Sequence, residues 1–268
     1  MVSTHRDRAR VGTITSLMEH YLEWKDPYPK KINNFTEETN SQQLLIAGMF
    51  ERKNFLDLIQ NFTVFEPVDG RTIKKIARYQ QFRAVHKSLE RIKTGHDRKS
   101  KSGVIWHTQG SGKSLTMVFL TLKIRRDIEL SKYKLVFITD RTQLHQQLNS
   151  TFQNTQSETL KIAKSVRELK SLLQIDSSDI VMTMIQKFKE SSEEREFPLL
   201  NESQKILVLA DEAHRTQYGT LGAAINVGIP NAAKIAFTGT PLIKSEQTAN
   251  EFGSYIDTYT IEQSVEDG

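Results

Sequence analysis

The chain has 268 residues, of which 37% are hydrophobic, 26% are charged and none is cysteine, and its formal net charge is +5 at pH 7. Without cysteine, disulfide bonds and thiolate metal sites are excluded, and the chain has neither an apolar run long enough to span a bilayer nor the apolar core of a secretory signal. These features favour a cytoplasmic protein with a packed core and no membrane partner, and the mild positive charge allows a polyanionic partner without requiring one.

Residues 1–72 form the first predicted domain, a mainly helical connector or subdomain. A helix is predicted near residues 14–22, because apolar side chains recur there at helical spacing, namely Ile14, Leu17, Met18, Tyr21 and Leu22. A proline-containing stretch over residues 24–31 breaks this pattern and indicates a loop. Two further helices are predicted, over residues 41–51 and 53–62.

The second predicted domain covers residues 73–268 and begins with a helix over residues 73–93. The apolar side of this helix is formed by Ile76, Tyr79, Phe82, Val85 and Leu89. A basic, polar stretch follows at residues 95–102. We interpret this stretch as a solvated connector, with a surface near DNA phosphates as the alternative.

A glycine-rich loop follows the apolar segment Val104-Ile105-Trp106 and precedes a helical pattern. Gly110 and Gly112 allow a tight turn in which main-chain N–H groups point toward an anion, and the following helix presents its positive end to the same anion. Lys113 can reach the outer phosphates of a nucleotide, and the hydroxyl of Ser114 can bind Mg²⁺. The predicted phosphate-binding residues are Thr108, Gly110, Ser111, Gly112, Lys113 and Ser114.

Four further apolar runs follow, over residues 135–138, 180–184, 206–209 and 235–237. Each is short and bounded by polar or turn residues, and helical pattern separates most of them, beginning with a helix predicted over residues 113–129. This alternation is typical of a parallel sheet that is buried on both faces. The sequence therefore predicts an α/β fold, a doubly wound parallel sheet in three layers.

The apolar run over residues 206–209 is followed by Ala210 and the carboxylates Asp211 and Glu212, and His214 comes two residues later. Open α/β sheets bind ligands at the carboxyl ends of their strands, so we expect both carboxylates in the site. Asp211 is predicted to hold Mg²⁺ through water, and Glu212 to polarise the water that attacks the terminal phosphate of ATP. His214 is expected near that phosphate, where it can report hydrolysis to the rest of the domain.

The next strand ends in Phe237-Thr238-Gly239-Thr240-Pro241, a turn with two threonine hydroxyls. We predict that Thr238 and Thr240 bond to the carboxylates and to His214. Such bonds would couple the nucleotide site to a DNA-facing side of the domain. An ordinary threonine turn is the alternative when this segment is considered alone.

Three segments together resemble motifs I, II and III of superfamily 2 helicases, which indicates a P-loop NTPase with a first RecA-like lobe. They are Thr108-Gln109-Gly110-Ser111-Gly112-Lys113-Ser114, Asp211-Glu212-Ala213-His214 and Thr238-Gly239-Thr240-Pro241. Three segments are also similar to segments of the R subunits of type I restriction enzymes. They are Ala77-Arg78-Tyr79-Gln80-Gln81, the phosphate loop with His107 where glycine is usual, and Phe252-Gly253-Ser254-Tyr255-Ile256-Asp257-Thr258-Tyr259. The resemblance covers nearly the whole chain and is most specific over residues 73–260.

The resemblance implies the ATP-binding part of an ATP-driven motor that translocates double-stranded DNA, in a subunit that also cuts DNA. It further implies that a methyltransferase and a specificity subunit are partners, and that either Gln80 or Gln81 reads the adenine edge. Residues 139–144 and 183–188 resemble motifs Ia and Ib. From these motifs we predict DNA contacts by Arg141, Thr183, Gln186 and Lys187, with surface polarity or capping as the alternative.

The same family places its arginine fingers in a second RecA-like lobe and its nuclease in a preceding domain, and neither is expected within these 268 residues. We therefore expect the isolated chain to be inactive as a nuclease and very slow as an ATPase. Two segments match the second part of a nuclease motif, namely Glu23-Trp24-Lys25 and Glu51-Arg52-Lys53. Neither segment follows a credible strand that contains an aspartate. Two other functions stay open: a strand-separating helicase or remodeler of superfamily 2, and a non-hydrolysing nucleotide-binding docking module.

Overall fold

The structure is a computed structural model that describes most of the chain. The described residues are 1–31, 34, 36, 39–68, 70–139, 144, 146–147, 160–184, 198–211, 216–240 and 252–267. The chain divides into two compact units, Met1–His86 with Tyr259–Gly268, and Lys87–Thr258. The domain boundary that we predicted after residue 72 stays a prediction, since a compact unit and a folding domain need not share their limits.

The N-terminal unit begins with a three-stranded antiparallel sheet, which the sequence did not indicate. Its strands are β1 (Val2–His5), β2 (Arg8–Val11) and β3 (Leu22–Glu23), in that order. The helix predicted near residues 14–22 is wrong, because that stretch contains a single 3-10 turn, Met18–His20, before β3 begins. The N-terminal segment therefore contains strands as well as helices.

Hydrogen bonds around Thr13 explain why no helix forms there. The Thr13 N–H donates to the Ser16 hydroxyl at 3.0 Å, and the Thr13 hydroxyl donates to the carbonyl oxygen of Lys74 at 2.7 Å. Such side-chain bonds offer the backbone an alternative to helical pairing. Three of the apolar side chains that suggested the helix are exposed rather than packed in a core: Ile14, Leu17 and Met18.

Two helices and a hairpin follow in the same unit. They are α1 (Ser41–Gly48), α2 (Arg52–Asn61), β4 (Thr63–Val68) and β5 (Arg71–Ile76). Both helices were predicted, and each begins at a side-chain cap. The Asn40 side chain accepts the Gln43 N–H at 3.0 Å, and the Glu51 carboxylate accepts two N–H groups in the first turn of α2. The strands β4 and β5 pair in antiparallel register.

The helix α3 (Tyr79–Thr94) starts later than the helix predicted over residues 73–93. The reason is the hairpin, because the chain pairs with β4 as far as Ile76. Phe82 of α3 is fully buried. Its ring centroid lies 4.8 Å, 5.7 Å and 4.4 Å from those of Phe62, Trp24 and His86. These aromatic contacts form the core of the N-terminal unit.

Seven strands form the large sheet. They are β6 (Gly103–His107), β7 (Lys134–Thr139), β8 (Leu160–Ala163), β9 (Ile180–Met184), β10 (Ile206–Asp211), β11 (Ala233–Thr238) and β12 (Tyr255–Tyr259). Their order is β12–β6–β11–β10–β7–β9–β8, and the pairs from β6 to β8 along this order are parallel. The predicted parallel sheet is confirmed, whereas β8 and β12 were not predicted as strands.

Both faces of this sheet are covered. The other α-helices within the described ranges are α4 (Arg98–Lys101), α5 (Lys113–Arg126), α6 (Val166–Gln174), α7 (Thr216–Gly228) and α8 (Ile261–Asp267). Val136 and Phe137 are consecutive in β7, so they point to opposite faces, yet both are fully buried. Leu169 of α6 and Ile225 of α7 belong to the same core cluster as Val136. The predicted three-layer α/β class is therefore confirmed.

The strand order indicates where a ligand would bind. The strands β6 and β7 are consecutive along the chain, but β11 and β10 lie between them in the sheet. Open α/β sheets bind ligands at the carboxyl ends of strands where the order reverses in this way.

Within the described ranges, no helix has the length and the apolar character that crossing a membrane requires.

Candidate nucleotide-binding site

The predicted phosphate-binding loop connects β6 to α5. Gly110 and Gly112 have φ angles of 84° and 81°, in the left-handed region that glycine adopts without strain. Gly112 is the N-cap residue of α5, so the first helical turn, whose N–H groups have no acceptor within the helix itself, follows directly after the loop. Thr108 and Ser111 are buried within the loop. This geometry matches an anion-binding loop at a helix N-terminus.

Lys113 is held against the loop that precedes it. The side chain is buried, and its Nζ donates to the main-chain oxygens of His107 at 3.1 Å and Thr108 at 3.4 Å. The ammonium group therefore lies close to any anion that the N–H groups of the loop bind. The next residue, Ser114, is half-buried in the first turn of α5, where its hydroxyl follows the loop directly.

Gly239, between the two predicted threonines, lies against the same loop. A Cβ at Gly239 would be 3.2 Å from the Nζ of Lys113 and 3.5 Å from the main-chain nitrogen of Gln109. The contact follows from the sheet, because β11 pairs with β6 and places Thr238 opposite Trp106. Sequence analysis did not identify Gly239 as a site residue. Its signal in the sequence is a glycine between two threonines directly after a buried strand.

Asp211 ends β10, which lies next to β11 in the sheet. Its side chain is 2% exposed, and its Oδ2 accepts the hydroxyl of Thr139 at 3.5 Å. Thr139 is the last residue of β7, the other neighbour of β10. The buried carboxylate therefore lies at the carboxyl edge of the sheet, the same edge from which the phosphate loop leaves β6.

The threonine turn after β11 is closed by its own hydrogen bonds. The Thr238 hydroxyl donates to the Thr240 carbonyl oxygen at 3.1 Å and accepts the Thr240 N–H at 3.3 Å. Thr238 is buried, whereas Thr240 is exposed. The predicted bonds from this turn to Glu212 and His214 involve residues outside the described ranges. The coupling role of the turn therefore stays a prediction.

The predicted DNA contacts have different outcomes. Thr183 lies within β9 with 1% of its surface exposed, and this burial argues against the direct contact with a DNA backbone that we predicted. Arg141, Gln186 and Lys187 lie outside the described residues. Their roles stay predictions.

The basic stretch at residues 95–102 is part of the fold. It includes the short helix α4, which begins at the capping residue Asp97. The Arg98 guanidinium donates to the carbonyl oxygen of Pro230 at 3.0 Å and to the side chain of Asn226. The stretch leads into β6 at its amino end, so it lies at the opposite edge of the sheet from the phosphate loop. These contacts favour the connector interpretation over the DNA surface.

His107 replaces the glycine that is usual at the start of the loop, and its side chain has a specific partner. The imidazole Nε2 lies 2.9 Å from Oδ2 of Asp257 in β12, and the two side chains are 0% and 1% exposed. The other oxygen of Asp257 lies 2.8 Å from the Nζ of Lys87 in α3. The sequence singled out His107 but gave no reason to connect it with Asp257 or Lys87.

The two candidate adenine-reading glutamines belong to the N-terminal unit and differ in their bonding. The Gln81 side-chain oxygen accepts the Arg78 N–H at 2.8 Å, at the start of α3. Gln80 is 1% exposed, and neither atom of its amide group has a hydrogen-bond partner among the residues that the structure describes. Buried polar groups are nearly always bonded, so Gln80 is available for a ligand in a way that Gln81 is not.

Hydrogen bonds from two tyrosines hold the first turn of α3. The hydroxyls of Tyr79 and Tyr259 each donate to Asp267 at 2.7 Å, and Lys25 lies 2.7 Å from the other oxygen of that carboxylate. Burial, together with the bond to Asp267, raises the pKa of Tyr259 to about 12 and that of Tyr79 well above its usual range. These bonds fix the residue directly before Gln80.

The segments that match part of a nuclease motif have structural contacts. Glu51 accepts the N–H groups of Lys53 at 2.8 Å and Asn54 at 3.1 Å as the cap of α2. Glu23 accepts the Ser41 hydroxyl at 3.2 Å. In the part of the chain that the structure describes, no group of three or more His, Cys, Asp or Glu residues is placed to hold a metal ion.

Comparison with known proteins gives a family match and several relatives. A family model described as SWI2/SNF2 ATPase matches residues 80–268. The chain is 34% identical to the type I restriction enzyme HindI endonuclease subunit of Haemophilus influenzae, over 97% of this chain and 26% of that subunit. It is 36% identical to a Methanocaldococcus jannaschii protein provisionally named type I restriction enzyme MjaIXP endonuclease subunit, over 90% of this chain and 23% of that protein. The chain thus spans about a quarter of the length of these relatives.

A solved structure is also similar to this chain. It is that of a nuclease-deletion mutant of the type ISP restriction-modification enzyme LlaGI in complex with a DNA substrate mimic, with 19% identity and a TM-score of 0.47. The match covers 72% of this chain and 20% of that chain, and at this level of similarity it carries no argument about function. The relatives confirm the resemblance to type I restriction enzyme R subunits that the sequence indicated.

Proposed function

The chain belongs to the SWI2/SNF2 ATPase family, and from this premise we propose that it is the ATP-binding part of the R subunit of a type I restriction-modification enzyme. In the full protein, ATP hydrolysis drives translocation of double-stranded DNA, and translocation leads to DNA cleavage. The observation that supports the proposal most directly is the buried Lys113, which lies between its own phosphate loop and Gly239.

The phosphate loop is the proposed site of the β- and γ-phosphates of ATP. The main-chain N–H groups of the loop and the positive end of α5 favour an anion there. Lys113 already lies over the loop, held by neutral carbonyl oxygens. A phosphate oxygen is a stronger partner for an ammonium group, because the bond is then charged on both sides. ATP therefore offers the lysine a stronger partner than these two carbonyl oxygens.

Asp211 and Ser114 fit the ligand chemistry of Mg²⁺. This ion prefers oxygen ligands and binds through few carboxylates together with phosphates, and Asp211 offers a buried carboxylate at the edge of the sheet where the loop lies. When bound, the ion neutralises charge on the transferred phosphate. Glu212 is the proposed group that polarises the attacking water, since it directly follows Asp211. His214, Thr238 and Thr240 are the proposed coupling residues.

Gln80 is the proposed reader of the adenine base. A glutamine amide has a donor and an acceptor side by side, and adenine presents the complementary N6 donor and N7 acceptor. The amide of Gln80 is buried without a partner among the described residues, while the amide oxygen of Gln81 caps α3. This difference supports Gln80 over Gln81.

Double-stranded DNA and the other subunits of a restriction complex are the proposed partners. Arg141, Gln186 and Lys187 are the proposed DNA contacts, and a methyltransferase and a specificity subunit are the proposed protein partners. These assignments rest on the resemblance of the sequence motifs to R subunits, and the chain spans about a quarter of the length of its relatives. Tested alone, the 268 residues should cut no DNA and hydrolyse ATP very slowly, because an arginine finger contributes several orders of magnitude to such rates.

Calorimetric titration of the chain with ATP and Mg²⁺ tests the proposed site. Lys113→Ala should abolish binding, because the phosphates lose their charged partner. Lys161→Ala is a matched control, since it removes an ion pair with Asp179 of 2.7 Å elsewhere in the large unit and should leave affinity unchanged. Circular dichroism shows whether each variant is folded. Unchanged affinity in folded Lys113→Ala would overturn the site assignment.

The motor function needs the full-length protein. We expect its ATPase activity to rise on addition of double-stranded DNA, without separation of the strands of a short duplex. No stimulation by double-stranded DNA would contradict the translocation proposal. Unwinding of the duplex would favour the strand-separating helicase or remodeler instead.

A further inference from the structure

One carboxylate connects three elements beside the phosphate loop. Asp257 of β12 accepts from His107 of β6 at 2.9 Å through Oδ2, and its Oδ1 lies 2.8 Å from the Nζ of Lys87 in α3. Because an ionised carboxylate has no proton to give, the imidazole Nε2 is the donor. The two oxygens of Asp257 thus have different partners, which fixes the orientation of the carboxylate.

We propose that Asp257 and Lys87 are positioning residues that hold the phosphate loop through His107. The inference rests on the proposed ATP site and assigns to it residues that do not touch the nucleotide. The chain of contacts is Lys87, Asp257, His107 and then Lys113, since the main-chain oxygen of His107 accepts the Nζ of Lys113 at 3.1 Å.

Burial makes the link between His107 and Asp257 rigid. Their side chains are 0% and 1% exposed, whereas that of Lys87 is 39% exposed. A charge buried to this extent is costly unless hydrogen bonds and an opposite charge accompany it. Breaking the bond would remove the imidazole donor from Oδ2 of a buried carboxylate, so the imidazole has a strong preference for one position.

The position of His107 at the end of β6 shows that its bond to Asp257 holds the start of the phosphate loop. His107 is the last residue of β6, and the loop begins with the next residue. One neighbour of β6 is β11, whose following residue Gly239 lies against Lys113, and the other is β12, which contains Asp257. The start of the loop is therefore held from both neighbouring strands.

The histidine also explains why an acid is present in β12. Glycine, the usual residue at this position of the loop, has no side chain that could bond to a neighbouring strand. With His107, a side-chain bond to Asp257 becomes possible, and it fixes the carbonyl group that Lys113 uses. We therefore expect the two residues to act as one unit in phosphate binding.

A double-mutant cycle on the chain tests the inference. Inorganic tripolyphosphate with Mg²⁺ is the calorimetric probe, because it reports the phosphate site without the base. His107→Ala and Asp257→Asn should each weaken binding on the order of tenfold, the scale on which outer partners of a binding residue act. The double variant should bind as the single variants do, and His107→Gln, whose amide can replace the Nε2 donor, should restore most of the affinity.

Two further variants keep the result interpretable. Lys87→Met removes a partly exposed partner and should weaken binding several-fold even if the buried variants do not fold. Asp179→Asn removes the ion pair with Lys161 and should have no effect. Additive losses in the cycle, or unchanged affinity in folded Lys87→Met and His107→Ala, would overturn the inference. If the unaltered chain does not bind tripolyphosphate, the proposed ATP site itself fails.

Discussion

Gly239 lies so close to Lys113 that a Cβ at Gly239 would be 3.2 Å from the lysine Nζ. The turn after β11 and the phosphate loop are therefore packed together, and the glycine leaves the space that the ammonium group occupies. Real Cβ atoms rarely approach a neighbour this closely, so a Cβ at position 239 would shift the lysine Nζ by a few tenths of an ångström.

We expect Gly239→Ala to weaken ATP binding roughly five- to tenfold, about 1 kcal/mol, which is the low end of the cost of adding a methyl group to a packed site. Gly239→Val should weaken it further. Calorimetry on the two variants measures these effects. Equal affinity in Gly239→Val and the unaltered chain would show that the contact is not part of the site.

Base selectivity should depend on Gln80 and not on Gln81. Gln80→Ala should reduce the preference for ATP over GTP roughly tenfold, since a bidentate amide contact to adenine is worth about 1–3 kcal/mol of discrimination. Gln81→Ala should keep the preference but lower the melting temperature, because it removes the bond to the Arg78 N–H. Competition between ATP and GTP for a fluorescent nucleotide gives both values. The reverse pattern would assign the base to Gln81.

The strands were predictable because burial leaves a direct mark on the sequence. All residues of β7 and β10 are buried, and an uninterrupted apolar run is what such a strand requires. The loop was predictable for a similar reason, since the φ angles of Gly110 and Gly112 need glycine. In these cases, burial or backbone conformation restricts residues that are adjacent in the sequence, so a local pattern is enough to recognise them.

Other features depend on residues that are far apart in the chain. His107 and Asp257 are separated by 150 positions, and no local pattern connects them. The helix expected near residues 14–22 failed because the spacing of apolar side chains does not show the bond from Thr13 to Lys74. Sequence pattern therefore located the loop and the sheet, whereas the contacts that position Lys113 required the structure.

Metal binding should depend on Asp211. We expect Asp211→Asn to reduce the Mg²⁺-dependent gain in ATP affinity about tenfold, because a neutral amide replaces the buried carboxylate. Binding of ATP in the presence of a chelator should not weaken, since the loop and Lys113 are unaltered. The stability of the chain should be unchanged or higher, because burying a charge is costly. Titrations with and without Mg²⁺ measure the difference, and an unchanged Mg²⁺ effect would exclude Asp211 as a ligand.

The stability of the N-terminal unit should fall at high pH because of Tyr259. Burial and the bond to Asp267 raise the pKa of Tyr259 from 10.0 to about 12. Below pH 10 the tyrosine is protonated in the folded and unfolded chains, so its contribution to stability is complete. Between pH 10 and 12 the unfolded chain loses the proton first, and the free energy of unfolding decreases as the pH rises. Above pH 12 that contribution is lost.

Tyr259→Phe isolates this effect. The variant should be less stable than the unaltered chain at pH 8, because the bond to Asp267 is gone, and its free energy of unfolding should fall less steeply between pH 10 and 12. Part of the slope should remain, since Tyr79 bonds to the same carboxylate and its pKa is also raised. Tyr255→Phe, at a position 38% exposed, is the control. Denaturant unfolding from pH 8 to 12 measures both slopes, and parallel curves for Tyr259→Phe and the unaltered chain would show that Tyr259 does not link stability to alkaline pH.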